Sequence, residues 1–197
     1  MNGADPKRAL RRRLRRALEQ LPESVCRAQS AALCRRLQLL PELASARVVA
    51  GYAAFGSEAD PAAALAWLGA RGVVLGLPRI VAGVEAAGDG GRLELHRVDE
   101  GTRLLQNRYA IAEPDAAEPL LSLSRVEVIL VPALGVDREG RRLGRGGGYY
   151  DRLLPRLPQA FKVALVHDLQ LIEQVPSLPH DARVDCIVSD LHTHYVR

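Results

Sequence analysis

Three cysteines, one tryptophan, two phenylalanines and only two lysines are spread over 197 residues, and each scarcity closes off a class of protein. Cys26, Cys34 and Cys186 form no Cys-x-x-Cys pair and no zinc spacing. An odd, sparse count points to reduced thiols rather than a disulfide framework. Aromatic residues make up 4% of the chain, too few for the stacking platforms that hold single-stranded nucleic acid. No apolar run approaches the roughly 18 residues needed to cross a bilayer. The basic N-terminus has no apolar segment of signal-peptide length behind it. Together these absences predict a cytoplasmic protein without a membrane partner. Internal repeats, low-complexity tracts and interdomain linkers are also missing, and the length suits one well-buried core, a single domain over residues 1–197.

What is present needs weighing. The net charge is +4, yet all but two of the 27 basic residues are arginine and alanine is abundant. That bias looks like codon preference, so arginine clusters say less than usual and Lys7 and Lys162 say more. From Pro6 to Gln20, Leu10, Leu14 and Leu18 form an i, i+4, i+8 seam among basic residues, which predicts an amphipathic helix with one side on protein. Pro22 opens a second helix, with Val25, Cys26, Leu33, Leu37 and Leu40 facing inward.

Farther on, apolar runs alternate with helical ones. Strands are expected over 47–53, 73–77 (ended by Pro78), 127–132, 162–166 and 185–188. Helices are expected at 61–70, 149–157 and 169–174. The first of these has Asp60 as N-cap, Pro61 at its first position and a stop at Gly72. A hairpin should turn at Asp89-Gly90, and 99–124 reads as irregular. This alternation predicts a three-layer α/β/α domain with a mainly parallel sheet and an N-terminal helical pair.

Residues 142–152, RLGRGGGYYDR, follow the clearest strand. Ligands of open α/β sheets bind beyond the carboxyl ends of strands. Successive glycine N–H groups can form an anion nest there, a following helix adds its positive end, and Arg145 can face phosphate oxygens. The familiar patterns fail. No lysine-serine or lysine-threonine follows for a Walker loop, and Tyr149 stands where GxGxxG needs its third glycine. An ordinary surface loop is the plainer reading.

VPALGVDREGRRLGRGGGYYDRLL resembles the signature of the 5-formyltetrahydrofolate cyclo-ligase family, also called methenyltetrahydrofolate synthetases. KRALR, with Lys7 and Arg11, resembles the family's Lys-x-x-x-Arg element. SEADPAAALAWLGARGVVLGLPRI resembles its glutamate-bearing loop, helix and strand, and YAIAEP and QLIEQVPSLPHDARVDCIVSD follow in the family's order. Nearly the whole chain is covered.

The resemblance implies an enzyme that uses ATP with Mg2+ to close the N5-formyl group of 5-formyltetrahydrofolate onto N10. The formyl oxygen is phosphorylated on the way, and ADP and phosphate are released. It implies that Lys7 and Arg11 reach the nucleotide and that Arg142, Leu143, Gly144, Arg145, Gly146, Gly147 and Gly148 surround the triphosphate. Arg145 and Tyr149 would be catalytic, with Tyr149 and Tyr150 between ATP and folate. Ala53, Glu58 and Tyr149 would contact the folate, and Asp151 and Asp185 would serve the magnesium ion. The substrate could carry a polyglutamate tail, and a monomer is implied. Several positions depart from the pattern. Gly147 stands where some members carry lysine, Val136 where phenylalanine is frequent and Ala110 where glycine is common, while His167 sits in a segment usually less polar. None removes a phosphate or metal contact.

Each residue also has a plainer reading. Lys7 and Arg11 could be a solvated helix face, Asp151 a complement to a helix dipole, Glu58 and Asp185 unliganded, and His192 and His194 a chain-end tail rather than a metal pair. A different class is a non-catalytic nucleic-acid-binding protein using the basic N-terminal helix; the leucine seam and the dearth of aromatics count against it. A kinase-like or sugar-phosphate enzyme would explain the anion nest but not the flanking elements.

Overall fold

The computed structural model describes residues 6–83, 91–178 and 181–196. Five parallel strands form the centre: β1 (Val48–Ala50), β2 (Val74–Val81), β6 (Val128–Pro132), β9 (Phe161–Leu165) and β10 (Cys186–Val188). Antiparallel edges flank them, β3 (Arg92–Val98) beside β2 and β11 (Thr193–Tyr195) beside β10, in the order β11-β10-β9-β6-β1-β2-β3. The central strands read as unbroken apolar runs because both faces are covered. Val49, Leu130, Val163 and Val188 pack against α2 (Glu23–Leu37), α3 (Pro41–Ser45) and α4 (Ala62–Ala70). Val48, Ala50, Ile129 and Val131 pack on the opposite side against the short α5 (Tyr149–Leu153) and the 3-10 turn that continues it. The result is the mixed α/β, three-layer arrangement with a mainly parallel sheet.

The N-terminal helices part company. α1 (Pro6–Glu19) buries Leu14 against Leu143 and Val175, at the carboxyl end of the sheet. α2 buries Leu33 and Leu37 on the sheet face, but Val25 is exposed and Cys26 half-exposed, because its inward stripe begins only at Ser30. Asp60 Oδ1 accepts the Ala62 N–H at 2.9 Å, but the helix starts one residue later than expected, so Pro61 rather than Asp60 holds the N-cap position.

Pro78 does not end its strand. Even-numbered residues of β2 turn their backbone toward β1, as Val74 N–H donating to Arg47 and Gly76 C=O accepting from Gly51 demonstrate. β1 stops at Ala50, so the missing N–H of Pro78 faces no acceptor and nothing is lost. Two positions on, Ile80 N–H finds the carboxylate of Glu113 instead.

The stretch 99–124 is more ordered than expected, holding the hairpin β4 (Leu104–Gln106) and β5 (Ala112–Pro114) and a 3-10 turn over Leu123–Arg125. β11, unforeseen, places the chain end on the sheet, where His192 bonds Asp168 and His194 bonds the Arg138 carbonyl. The antiparallel pairing of β2 and β3 is present; the expected turn at Asp89-Gly90 lies outside the described residues. No helix among the described residues is long and apolar enough to cross a membrane.

Candidate active site

A cleft of about 530 Å³ opens beyond the carboxyl ends of β1, β2 and β6. After β6 the chain makes a tight hairpin, β7 (Gly135–Val136) with β8 (Arg142–Leu143), which returns the glycine stretch to the end of the strand it has just left. Asp137, fully buried at the hairpin tip, accepts from the N–H groups of Glu139, Arg141 and Val175 and from Arg141 Nε, so the return is rigid.

Gly146 and Gly148 sit at φ +110° and +66°, where L side chains are disfavoured. The loop's carbonyls are turned outward to arginines. Arg11 Nε donates to Gly144 O (3.0 Å), Arg15 Nη2 to Arg145 O (2.9 Å) and Arg152 Nη2 to Gly147 O (3.1 Å). The N–H groups of Arg145, Gly146, Gly147 and Gly148 meet no acceptor among the described residues. Four consecutive unpaired donors at the mouth of a cleft make an anion nest. The helix that follows is a single turn, so the nest rather than a helix dipole supplies most of the attraction.

Charged side chains ring this loop. Arg142, 6% exposed, donates from Nη2 to Asp151 Oδ1 at 2.7 Å and lies 5.6 Å from the Tyr150 ring, leaving its buried Nε without a partner among the described residues. Lys7 pairs with Asp181 across the same side of the cleft. Arg145 reaches over the opening: Nε donates to Glu58 Oε1 (2.7 Å), Nη2 to Phe55 O (3.1 Å), and the guanidinium lies 5.0 Å from the Phe55 ring. Burial, and then the negative charge of Glu58, push the Tyr150 hydroxyl well above its ordinary pKa of 10, with Arg142 opposing. Burial and a hydrogen bond with Tyr109 raise that of Tyr149.

Of the residues named from sequence, Lys7, Arg11, Ala53, Glu58, Arg142, Leu143, Gly144, Arg145, Gly146, Gly147, Gly148, Tyr149, Tyr150 and Asp151 all line this one cleft. Asp185 does not, and its expected place beside a metal with Asp151 is corrected here. It immediately precedes β10, which runs parallel to β9, so it lies at the amino end of the sheet, opposite the cleft. There its Oδ2 accepts the Lys162 N–H at 2.7 Å. The carboxylate that does face the cleft is Asp181, four residues earlier. The rule that ligands gather at carboxyl ends, applied to a residue directly before a strand, would have separated the two.

Also missed were Phe55 and the polar wall formed by Asn107 and Glu113. Glu113 is buried, accepting from Ile80 N–H (3.1 Å) and Asn107 Nδ2 (2.8 Å) and paired with Arg79 (3.2 Å). No group of three metal-ligating side chains occurs among the described residues. Mg2+ commonly takes only one or two carboxylates and completes its octahedron with phosphate oxygens and water. Asp151 and Asp181 both line the cleft, and in this structure each is paired with a cation, Arg142 and Lys7.

Residues 4–190 match the 5-formyltetrahydrofolate cyclo-ligase family. A 5-formyltetrahydrofolate cyclo-ligase of Mycolicibacterium smegmatis is 36% identical over 93% of this chain and 93% of its own. One of Escherichia coli is 34% identical over 78% of this chain and 84% of its own. The solved structure of a 5,10-methenyltetrahydrofolate synthetase from Aquifex aeolicus superposes with a TM-score of 0.83 at 30% identity, covering 97% of this chain and 93% of that one. A 5,10-methenyltetrahydrofolate synthetase from Mycoplasma pneumoniae shares the fold with a TM-score of 0.72 at 19% identity, over 94% of this chain and 99% of that one.

Proposed function

The chain belongs to the 5-formyltetrahydrofolate cyclo-ligase family, and from that premise we propose how its own residues carry out the reaction. It is an enzyme that converts 5-formyltetrahydrofolate to 5,10-methenyltetrahydrofolate. The chemical obstacle is the formamide oxygen, a poor leaving group. Transfer of the γ-phosphoryl of ATP to that oxygen leaves ADP and makes an imidate-like phosphate. N10 then attacks the formyl carbon and gives up its proton to water, phosphate departs with the former formyl oxygen, and the methenyl bridge remains.

The observation that carries this reading is the run of four N–H groups, 145 to 148, that meet no acceptor among the described residues, in one cleft with Glu58. The nucleotide polyphosphate lies on the nest, with Lys7 and Arg11 reaching it from α1. Arg145 neutralises charge that grows on the transferring phosphoryl group, the kind of positioning and electrostatic work that dominates phosphoryl transfer. Arg142, buried and paired with Asp151, orients that carboxylate toward the polyphosphate. The folate lies along Ala53, Glu58 and Tyr149, with Tyr150 between the two ligands. Asp151 and Asp181 would hold Mg2+, which when bound screens the phosphate charges. The substrate is taken up in the cytosol by a monomer acting as one domain; the three cysteines are free thiols, as that compartment favours.

Mixing the protein with folinic acid and MgATP and following the near-ultraviolet absorbance of the methenyl product tests the reading. Arg145→Ala is expected to lose at least about 100-fold in kcat, the usual scale for one charge-stabilising donor, while unfolding at the wild-type temperature. A full rate in that variant removes Arg145 from its role. A nucleic-acid-binding protein would instead show steeply salt-dependent binding to DNA or RNA and indifference to ATP.

A further inference from the structure

We propose that Glu58 holds Arg145 away from the phosphate cradle while neither ligand is bound, so that this ion pair couples the two halves of the cleft. The inference rests on the division of the cleft given above, nucleotide on the glycine loop and folate beside Glu58.

Among the described residues, every hydrogen bond, ion pair and ring contact of the Arg145 side chain is made to the segment 55–58. Nε donates to Glu58 Oε1, Nη2 to the Phe55 carbonyl, and the guanidinium packs on the Phe55 ring. Nε and one Nη form the edge with which an arginine grips a carboxylate or phosphate in bidentate fashion, and here that edge is occupied. Glu58 is committed in the same way. Its Oε2 accepts the Phe55 N–H at 3.0 Å and its Oε1 is taken by Arg145, with only 11% of the side chain exposed.

The two ligands therefore compete for opposite halves of one pair. A folate N–H that bonds to Glu58 Oε1 displaces Arg145, and a phosphate that takes the Nε–Nη2 edge displaces Glu58. Whichever ligand arrives first breaks the pair, and the second finds its partner already free. Such an arrangement gives positive coupling, and linkage makes it equal in both directions.

Calorimetric titration of the full chain in Mg2+ with a non-hydrolysable β,γ-imido ATP analogue tests this, with and without saturating 5-formyltetrahydrofolate. The wild-type protein is expected to bind the analogue about fivefold tighter with folate present, at the lower end of usual coupling energies. Glu58→Gln, which keeps an oxygen for Phe55 N–H but loses the charge, should bind the analogue about fivefold tighter than wild type in the absence of folate. Its folate effect should fall to about one. A role in folate contact alone cannot move nucleotide affinity when no folate is present, so an unchanged value overturns the proposal. Weaker nucleotide binding by Glu58→Gln overturns it too, since Glu58 would then be preorganising Arg145 for phosphate. Arg145→Gln removes the other half of the pair and should abolish coupling as well; retained coupling in that variant sinks the idea even if Glu58→Gln does not fold. Failure of the wild-type protein to bind the analogue under any condition overturns instead the nucleotide reading of the cleft.

Discussion

Gly148 sits at φ +66°, and a Cβ placed there would come within 2.7 Å of Arg152 Nη1, a group already bonded to the Gly91 carbonyl through its sister nitrogen. Two penalties therefore meet at one residue, the left-handed backbone, worth about 1–2 kcal/mol for a residue with a Cβ, and displacement of a tethered guanidinium. Gly72, at φ +80° after α4, has open space around the same point. Gly148→Ala and Gly72→Ala should each lower the melting temperature by several degrees, at about 2–4 °C per kcal/mol for a chain of this length. Only Gly148→Ala should also raise the KM for ATP, because it alone reshapes the anion nest. Thermal unfolding together with initial rates at varied ATP separates the two; equal KM values in both variants would mean the loop tolerates a side chain. Glycine density in RLGRGGGYYDR was visible at once in the sequence. Which carbonyls turn outward was not, since two of the three arginines that hold them, Arg11 and Arg15, come from α1, 133 and 130 positions away along the chain.

At the scale of elements, β10 decides which aspartate can serve the cleft. Asp181 and Asp185 are four residues apart, and only the second directly precedes the strand. The parallel pairing of β10 with β9 sends Asp185 to the amino edge and leaves Asp181 facing Lys7 at the carboxyl edge. Asp151→Asn and Asp181→Asn are each expected to raise the Mg2+ concentration for half-maximal rate by about tenfold or more, the usual loss for one carboxylate close to a metal-bound phosphate. Asp185→Asn should leave that midpoint unchanged and lose at most about 1 kcal/mol of stability with its bond to Lys162 N–H. A magnesium titration of the three variants checks both statements. The β2 strand teaches a similar lesson. Pro78 read as a stop, yet the strand continues because β1 ends beside it and no donor is wanted on that side.

Across the whole molecule, the sheet buries titratable groups that the reaction does not use, His167 among them. His167 follows β9 and is fully buried. Burial holds its pKa below the ordinary 6.5, against weaker opposing effects of the Asp190 charge and the Ser57 backbone. The folded state thus favours the neutral ring, and the unfolded state binds the extra proton first. Stability should be constant above the unfolded value, then decline as pH falls below about 6.5 toward the lower folded value. Asp168 does not contribute in that window. Burial raises its pKa, but hydrogen bonds from His192 and Ser189 outweigh this and hold it below 3.8. Melting temperatures measured between pH 5 and 7.5 should fall toward acid in the wild type and stay flatter in His167→Phe. Parallel curves would place the acid sensitivity elsewhere. The larger energetic commitment is apolar. Leu130, at 0% exposure in the middle strand, should lose about 2–5 kcal/mol on truncation to alanine, read by urea denaturation.

The order of strands and helices, the seam of α1 and the position of the glycine loop after β6 follow from residues close together in the chain. Periodicity, proline and glycine act over a few residues, so those features could be read without coordinates. The pairing of Arg145 with Glu58, 87 positions away, and of Lys7 with Asp181, 174 positions away, could not. Such contacts depend on the strand order β9-β6-β1-β2, which gathers distant loops at one edge of the sheet. Side-chain chemistry fixed what each group can do; only the folded sheet decided which groups meet.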